Sequence, residues 1–160
     1  MNIDKLFTSL ARIEEQLYPN AVILPHFPRS IQLDYYSCGA KSTYMILKYY
    51  GKRCTSDSVE KQLGTDEDGT SPSDIKRVLR KYGLQTHTDT NMNLRDLKAS
   101  INAGSPILVS LYDGWHYSVV YGYSNKHVFV MNPSSLKCAV GLSEWRRSWD
   151  RWGIIVNTPH

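Results

Sequence analysis

The chain has 160 residues, 41% of them hydrophobic and 21% charged, with 10 glycines and 7 prolines, a balance that excludes disordered, collagen-like and low-complexity proteins. A single domain of this length buries about two thirds of its surface without a disulfide staple; no apolar run approaches the ~18 residues of a membrane span, and Asp4, Glu14 and Glu15 interrupt the place of an export signal. The net charge of +4 is too small to demand an anionic partner, and the three cysteines, Cys38, Cys54 and Cys138, lack a Cys-x-x-Cys pair, which points to a reducing compartment rather than a disulfide framework or zinc site.

Ile3, Leu6, Phe7, Leu10, Ile13 and Leu17 recur at intervals of three and four, which predicts an amphipathic helix over residues 3–17 with its apolar stripe packed on the rest of the chain. Residues 21–24 read as a short strand, and Pro25, Pro28 and Ser30 make 25–37 an ordered loop. A helix follows from Cys38 to Tyr50, closed by Gly51, so Cys38 stands at a helix N-terminus. Shorter helices are expected over 57–63 before Gly64, from the Ser71 N-cap and Pro72 to Gly83, and over 94–103 between Asn93 and Gly104.

After Pro106 the pattern changes to β-rich runs at 107–112, 115–123, 128–131 and 153–156, with turns at Asp113-Gly114 and at residues 124–126. Helices first and an antiparallel sheet after them make an α+β layout, and no repeat or linker divides residues 1–160.

A thiol attacks only as thiolate, and a helix N-terminus favours that form through its free N–H groups and dipole, so Cys38 is the candidate nucleophile. Gly39 beside it leaves room for a substrate backbone. Gln32, six positions earlier, can fold back to form an oxyanion hole with the Cys38 N–H, each such donor being worth about 3 kcal/mol. Of five histidines, His116 is the candidate base because a strand fixes its position; a hairpin turning at 124–126 sets it against residues 132–134, where the amide oxygen of Asn132 can orient the ring.

Gln32 to Gly51 (QLDYYSCGAKSTYMILKYYG), Gly69-Thr70-Ser71, Gly83-Leu84, Ser105-Pro106-Ile107, His116-Tyr117-Ser118-Val119-Val120 and Asn132-Pro133 resemble, in order and spacing, the bacteriocin-processing double-glycine cysteine peptidases, a branch of the papain-like fold. The resemblance spans about residues 30 to 156. It implies a papain-like fold with Cys38 as nucleophile, His116 as base, Asn132 as orienting residue and Gln32 as oxyanion donor, acting on a peptide or protein substrate without a cofactor. Members of that family usually carry Asp where this chain has Asn132, and they usually form the front end of an ABC transporter. This chain, with no membrane segment, is expected to stand alone in the cytoplasm or to be delivered into a target cell as an effector. The same machinery run as an acyltransferase or deamidase, or a catalytically silent peptide-binding module, are the alternatives.

The remaining chemical groups read as structural. Cys54, beside Lys52 and Arg53, and Cys138 are expected to be loop thiols without a job, and His26, His87 and His127 surface residues with no metal spacing. Asp66 to Gly69 lacks the bidentate Glu of a calcium loop. Residues 144–152 interleave Trp145, Trp149 and Trp152 with arginines; an amphipathic helix with all three indoles buried is expected, not a nucleic-acid surface. Tyr35, Tyr36 and Trp115 are candidate walls of a cleft.

Overall fold

A computed structural model describes residues 3–159; Met1, Asn2 and His160, which the single-domain reading includes, lie outside the described residues. The β-rich half becomes β3 (Ile107–Leu111), β4 (His116–Tyr123) and β5 (His127–Met131), and β3 is buried at every position, so neither of its faces meets water. Two flanking strands carry no strong sequence signal: β2 (Gln85–Asp89), whose QTHTD is polar, and β6 (Ala139–Gly141), which is three residues long. With β1 (Val22–Ile23) and β7 (Trp149–Asn157) they complete one sheet of order β2-β7-β3-β4-β5-β6, antiparallel throughout, with β1 paired to the far end of β4.

The helices follow the expected boundaries closely. Helix α2 (Cys38–Tyr49) packs on β4 and on α3 (Ser56–Leu63) and α4 (Pro72–Lys81), so that Met45, Ile46, Leu47, Val59, Ile75, Val78 and Leu79 are lost from solvent together. Each such burial is worth about 1.5–3 kcal/mol. Thr55, Ser71 and Asn93 cap α3, α4 and α5 (Leu94–Asn102) by accepting from the backbone N–H groups of Ser58, Asp74 and Asp96.

Two expectations fail. The tryptophan segment is helical only as α6 (Leu142–Ser148); Trp149 is already extended and begins β7, and Arg151 takes a left-handed φ of 62°. Trp145 and Trp149 are buried with ring centroids 5.3 Å apart, but Trp152 is only half-buried, because strand geometry sends it elsewhere. The second failure is the first helix, α1 (Ile3–Glu15): it packs on the protein by its polar face, and Ile3, Leu6, Leu10, Ile13 and Leu17 are exposed.

Polar contacts hold α1 in that orientation. Asp4 accepts from Ser30 Oγ and the Ile31 N–H, Thr8 Oγ1 from the Arg29 N–H, and Glu15 from the Tyr121 hydroxyl at 2.7 Å; Arg12 donates to the Phe27 carbonyl. Glu14 accepts from the N–H groups of Cys138 and Ala139 at 2.8 and 2.7 Å, which satisfies part of the free edge of β6.

Candidate active site

Cys38 is the first residue of α2 and is 8% exposed. The turn before it is fixed by Asp34, whose Oδ1 accepts from the N–H groups of Tyr36 and Ser37 at 3.0 and 2.7 Å. Burial works against ionisation of Asp34, but those hydrogen bonds outweigh it and hold the carboxyl below its ordinary range. Cys38 Sγ accepts from the Tyr117 N–H at 3.5 Å. The helix N–H groups act on the thiol as expected, but they do not win: burial pushes the thiol up, against the opposing N–H groups of Tyr117, Gly39 and Cys38 itself. Gly39 has a different reason from the one its position suggests. A Cβ there would lie 3.1 Å from both the Thr70 side chain and the Tyr117 ring, so the glycine lets α2 seat against them rather than admitting substrate.

His116 opens β4, one residue before the amide that touches the thiol. Its Nε2 lies 2.7 Å from Asn132 Oδ1, which leaves Nδ1 as the ring nitrogen unclaimed by Asn132. Burial lowers the His116 pKa, opposed by that hydrogen bond. The pairing depends on a strand irregularity. Tyr123 and Gly122 face Val128 and Phe129, but Val120 and Val119 face Val130 and Met131, so Tyr121 is an extra residue in β4. Carried past Met131, the shifted register sets Asn132 opposite Ser118, one pleat from His116 on the same face. Without the bulge it would stand opposite Val119 and point the other way. Four residues, 124–127, lie between the paired residues Tyr123 and Val128, one more than the expected turn leaves unpaired, and the bulge restores the phase.

The turn before His116 is left-handed at three residues in succession, Tyr112, Asp113 and Gly114, with φ of 56°, 57° and 88°. Asp150, at the start of β7, holds it: its carboxylate accepts from the N–H groups of Asp113 and Gly114 at 2.7 and 2.8 Å and from Ser110 Oγ. Neither Asp150 nor Asp34 is visible as a site residue in the sequence, because each acts through backbone N–H groups that only the fold brings to it.

Gln32 is joined to the Asn132 loop. Its backbone N–H donates to the Pro133 carbonyl at 2.9 Å, its Oε1 accepts from Ser134 Oγ at 2.7 Å, and its Nε2 donates to the Asp34 carbonyl at 2.8 Å. Ser134 in turn donates its N–H to Asn132 Oδ1 at 2.8 Å. One chain of hydrogen bonds thus runs from His116 through Asn132 and Ser134 to Gln32 and the loop ahead of Cys38. The amide nitrogen of Gln32 keeps a second proton beyond the one given to Asp34.

A groove of about 680 Å³ opens beside the thiol, lined by Cys38, Tyr35, Tyr36, Thr70, Trp115 and Tyr117, with Glu67, Asp68 and Asp113 on its margin. Tyr35 and Trp115 are 78% and 85% exposed, so both belong to the groove rather than the core, whereas the Tyr117 hydroxyl is pushed up to about 12 by burial.

The other thiols differ from expectation in detail. Burial raises the Cys54 thiol, and the opposing cation is Lys48, not Lys52 or Arg53. Cys138 does lie in a loop, just before β6, but is fully buried there, with Arg29 Nη2 donating to its sulfur at 2.9 Å and burial pushing it up to about 11. His26 and His87 are exposed and His127 packs edge-on to the Tyr18 ring. Among the described residues no three His, Cys, Asp or Glu side chains group as metal ligands, and no helix is long and apolar enough to cross a membrane.

A cysteine at the start of a helix that packs on the strand carrying an amide-bonded histidine, within one antiparallel sheet, fits the papain-like fold of cysteine peptidases. Solved structures share the fold: a double glycine motif protease from an AMS/PCAT transporter, in complex with the leader peptide, superposes with a TM-score of 0.73 at 23% identity over 82% of this chain and 91% of that one. The peptidase domain of Streptococcus ComA, a bifunctional ABC transporter of a quorum-sensing pathway, does so with 0.74 at 22% identity over 84% and 100%. The model of the Peptidase C39 family matches residues 26–160, and this chain belongs to that family. Lactococcin-G-processing and transport ATP-binding protein LagD of Lactococcus lactis subsp. lactis is 30% identical over 129 residues, which are 78% of this chain but only 18% of that protein.

Proposed function

We propose that this cysteine peptidase cleaves a peptide bond of an extended peptide substrate with Cys38 as nucleophile, His116 as base, Asn132 as the residue that orients the ring and Gln32 as oxyanion donor. One observation carries the reading: Asn132 holds His116 Nε2 at 2.7 Å, while the amide of the next residue, Tyr117, meets Cys38 Sγ at 3.5 Å, so the free Nδ1 belongs on the thiol side.

Burial disfavours both the thiolate and the imidazolium, so the resting pair is neutral. His116 Nδ1 takes the thiol proton as sulfur attacks the carbonyl carbon. The oxyanion forms toward the Cys38 N–H and the second amide proton of Gln32. Collapse expels the amine, protonated by His116, and leaves an acyl-enzyme that water hydrolyses with the same imidazole as base.

Tyr35 and Trp115 flank the substrate backbone, and the carboxylates of Glu67, Asp68 and Asp113 disfavour acidic residues near the scissile bond. The leader peptide held by the solved relative supports a peptide as substrate. Residues 1–160 act as one unit on this reading, and the free thiols of the described residues suit the reducing cytoplasm.

The test is incubation with a peptide library followed by mass spectrometry, with Cys38→Ala as control. Cleavage absent in the variant, and a substrate-derived acyl adduct on Cys38 after acid quench, are the expected results. Products one mass unit heavier at glutamine, or joined to an added amine, would replace peptidase action by deamidation or acyl transfer. No Cys38-dependent product at all would leave a peptide-binding module.

A further inference from the structure

Helix α1 is fastened with its polar face inward, an inversion of the usual amphipathic arrangement. Ile3, Leu6, Leu10, Ile13 and Leu17 are 48%, 45%, 41%, 59% and 73% exposed. Their spacing is three, four, three, four, the strict 3.5-residue repeat of a coiled-coil seam rather than the 3.6-residue drift of a helix covering a globular core. A 3₁₀-type turn follows α1, in which the Leu17 N–H donates to the Glu14 carbonyl at 3.0 Å and Leu17 stays exposed. The helix also lies outside the family match, which starts at residue 26.

We propose that this stripe is a self-association surface that packs against the same stripe of a second copy of the chain. Charge favours a copy over a membrane. The positions flanking the seam are Phe7, Ser9, Glu14 and Gln16, which carry no basic group for anionic headgroups, and Glu14 is already committed to the β6 edge. The same flanks meet their own copies with no direct like-charge pair at Phe7, Ser9 or Gln16, so the seam is compatible with itself.

Five half-exposed aliphatic side chains leave on the order of 500 Å² of apolar surface, as large as the largest patch on a typical monomer, and a two-fold interface doubles it to about 1,000 Å², the floor for a specific dimer. A free helix of this length would be marginal in water, but α1 is already ordered by its contacts to Arg29, Ile31, Tyr121, Cys138 and Ala139, so association does not have to fold it. An interface at that floor corresponds to a dissociation constant of about micromolar order.

Analytical ultracentrifugation of the full chain from about 1 to 500 µM tests this. The mass is expected to rise from monomer to dimer across the series, and the double variant Leu10→Glu, Ile13→Glu to stay monomeric, its self-association weakened at least about 100-fold. Its circular dichroism and peptidase activity should match the parent, because both residues are exposed and neither lines the groove. As a check independent of that variant's folding, Leu10→Cys should form a disulfide-linked dimer under mild oxidation that reductant reverses. A parent that is monomeric throughout overturns the proposal, as does a dimer indifferent to the double variant, an absence of the Leu10→Cys cross-link, or a monomer that co-sediments with phosphatidylcholine–phosphatidylglycerol vesicles through this stripe.

Discussion

Cys38 and Cys138 are both buried thiols that hold their protons more tightly than a thiol in water, and their surroundings are opposites. Cys138 has the feature most often sought around a reactive cysteine, a guanidinium at 2.9 Å, yet burial still pushes it up to about 11, and the α1 contacts to its own N–H close it in. Cys38 is met by amide N–H groups instead, one of them from the residue after His116, and it opens onto a groove. A neighbouring positive charge does not by itself make a nucleophile where burial is stronger; the proposed role of Cys38 rests on a base and an open face instead.

Exchanging the roles of the two thiols would break that contrast most directly. Cys38→Ala is expected to lower turnover at least about 10⁴-fold with an unchanged melting temperature, whereas Cys138→Ala keeps its activity but loses about 1–3 kcal/mol of stability because Arg29 Nη2 is left buried without an acceptor. Activity assays paired with thermal melts check both; loss of activity in Cys138→Ala at unchanged stability would remove Cys38 from its place.

Next in size is Gln32→Ala, which should lower kcat about 100-fold and hardly move KM, since the second amide proton is used only in the transition state. A change confined to KM would make Gln32 a binding contact. Asn132→Ala should cost about tenfold in kcat, and Asn132→Asp should recover most of it, because either oxygen can hold His116 Nε2. Recovery failing in an intact fold would count against an orienting role.

Asp150→Ala removes three hydrogen bonds, two of them from the left-handed turn, and should slow kcat several-fold, with new proteolytic cleavage at residues 112–115 as the structural readout.

The smallest effect is a matter of pH. Burial depresses His116, so the imidazole stays neutral, and usable as a base, below pH 6.5; burial raises Cys38, so the thiol stays protonated above pH 9.0. The acid limb of kcat/KM should therefore lie below pH 6.5. Iodoacetamide should modify Cys38 slowly at neutral pH and faster as pH rises, while Cys138 reacts only on unfolding. Rapid alkylation of Cys38 already at pH values below 6.5 would mean that the two groups rest as a thiolate–imidazolium pair, with both shifts running the other way.

Much of this site was legible in advance where chemistry and chain order coincide. Cys38 after a loop and before an uninterrupted helix, a histidine in a strand and an amide at the end of the next strand are patterns of spacing. What escaped depended on surfaces that sequence does not display. Asp34 and Asp150 recognise backbone, which has no letter. β2 and β6 are held by their neighbours rather than by their own polar or short runs. The face chosen by α1 was hidden because periodicity reports that a helix is two-sided and not which side is inside; the unpaired N–H groups of Ile31, Cys138 and Ala139 attracted the carboxylates instead.

The extra residue Tyr121 in β4 works as a parity setting between His116 and Asn132. Loop 124–126 can lengthen freely, because added residues leave the paired strands where they are. Within 117–123 or 128–131 a single inserted or deleted residue would turn His116 and Asn132 to opposite faces, and only a second compensating change would bring them back. Divergence in this hairpin is therefore expected to proceed by even steps in the strands and arbitrary steps in the loop. A chain built on this plan that lacks the bulge must carry its orienting residue one position away from the one used by this protein.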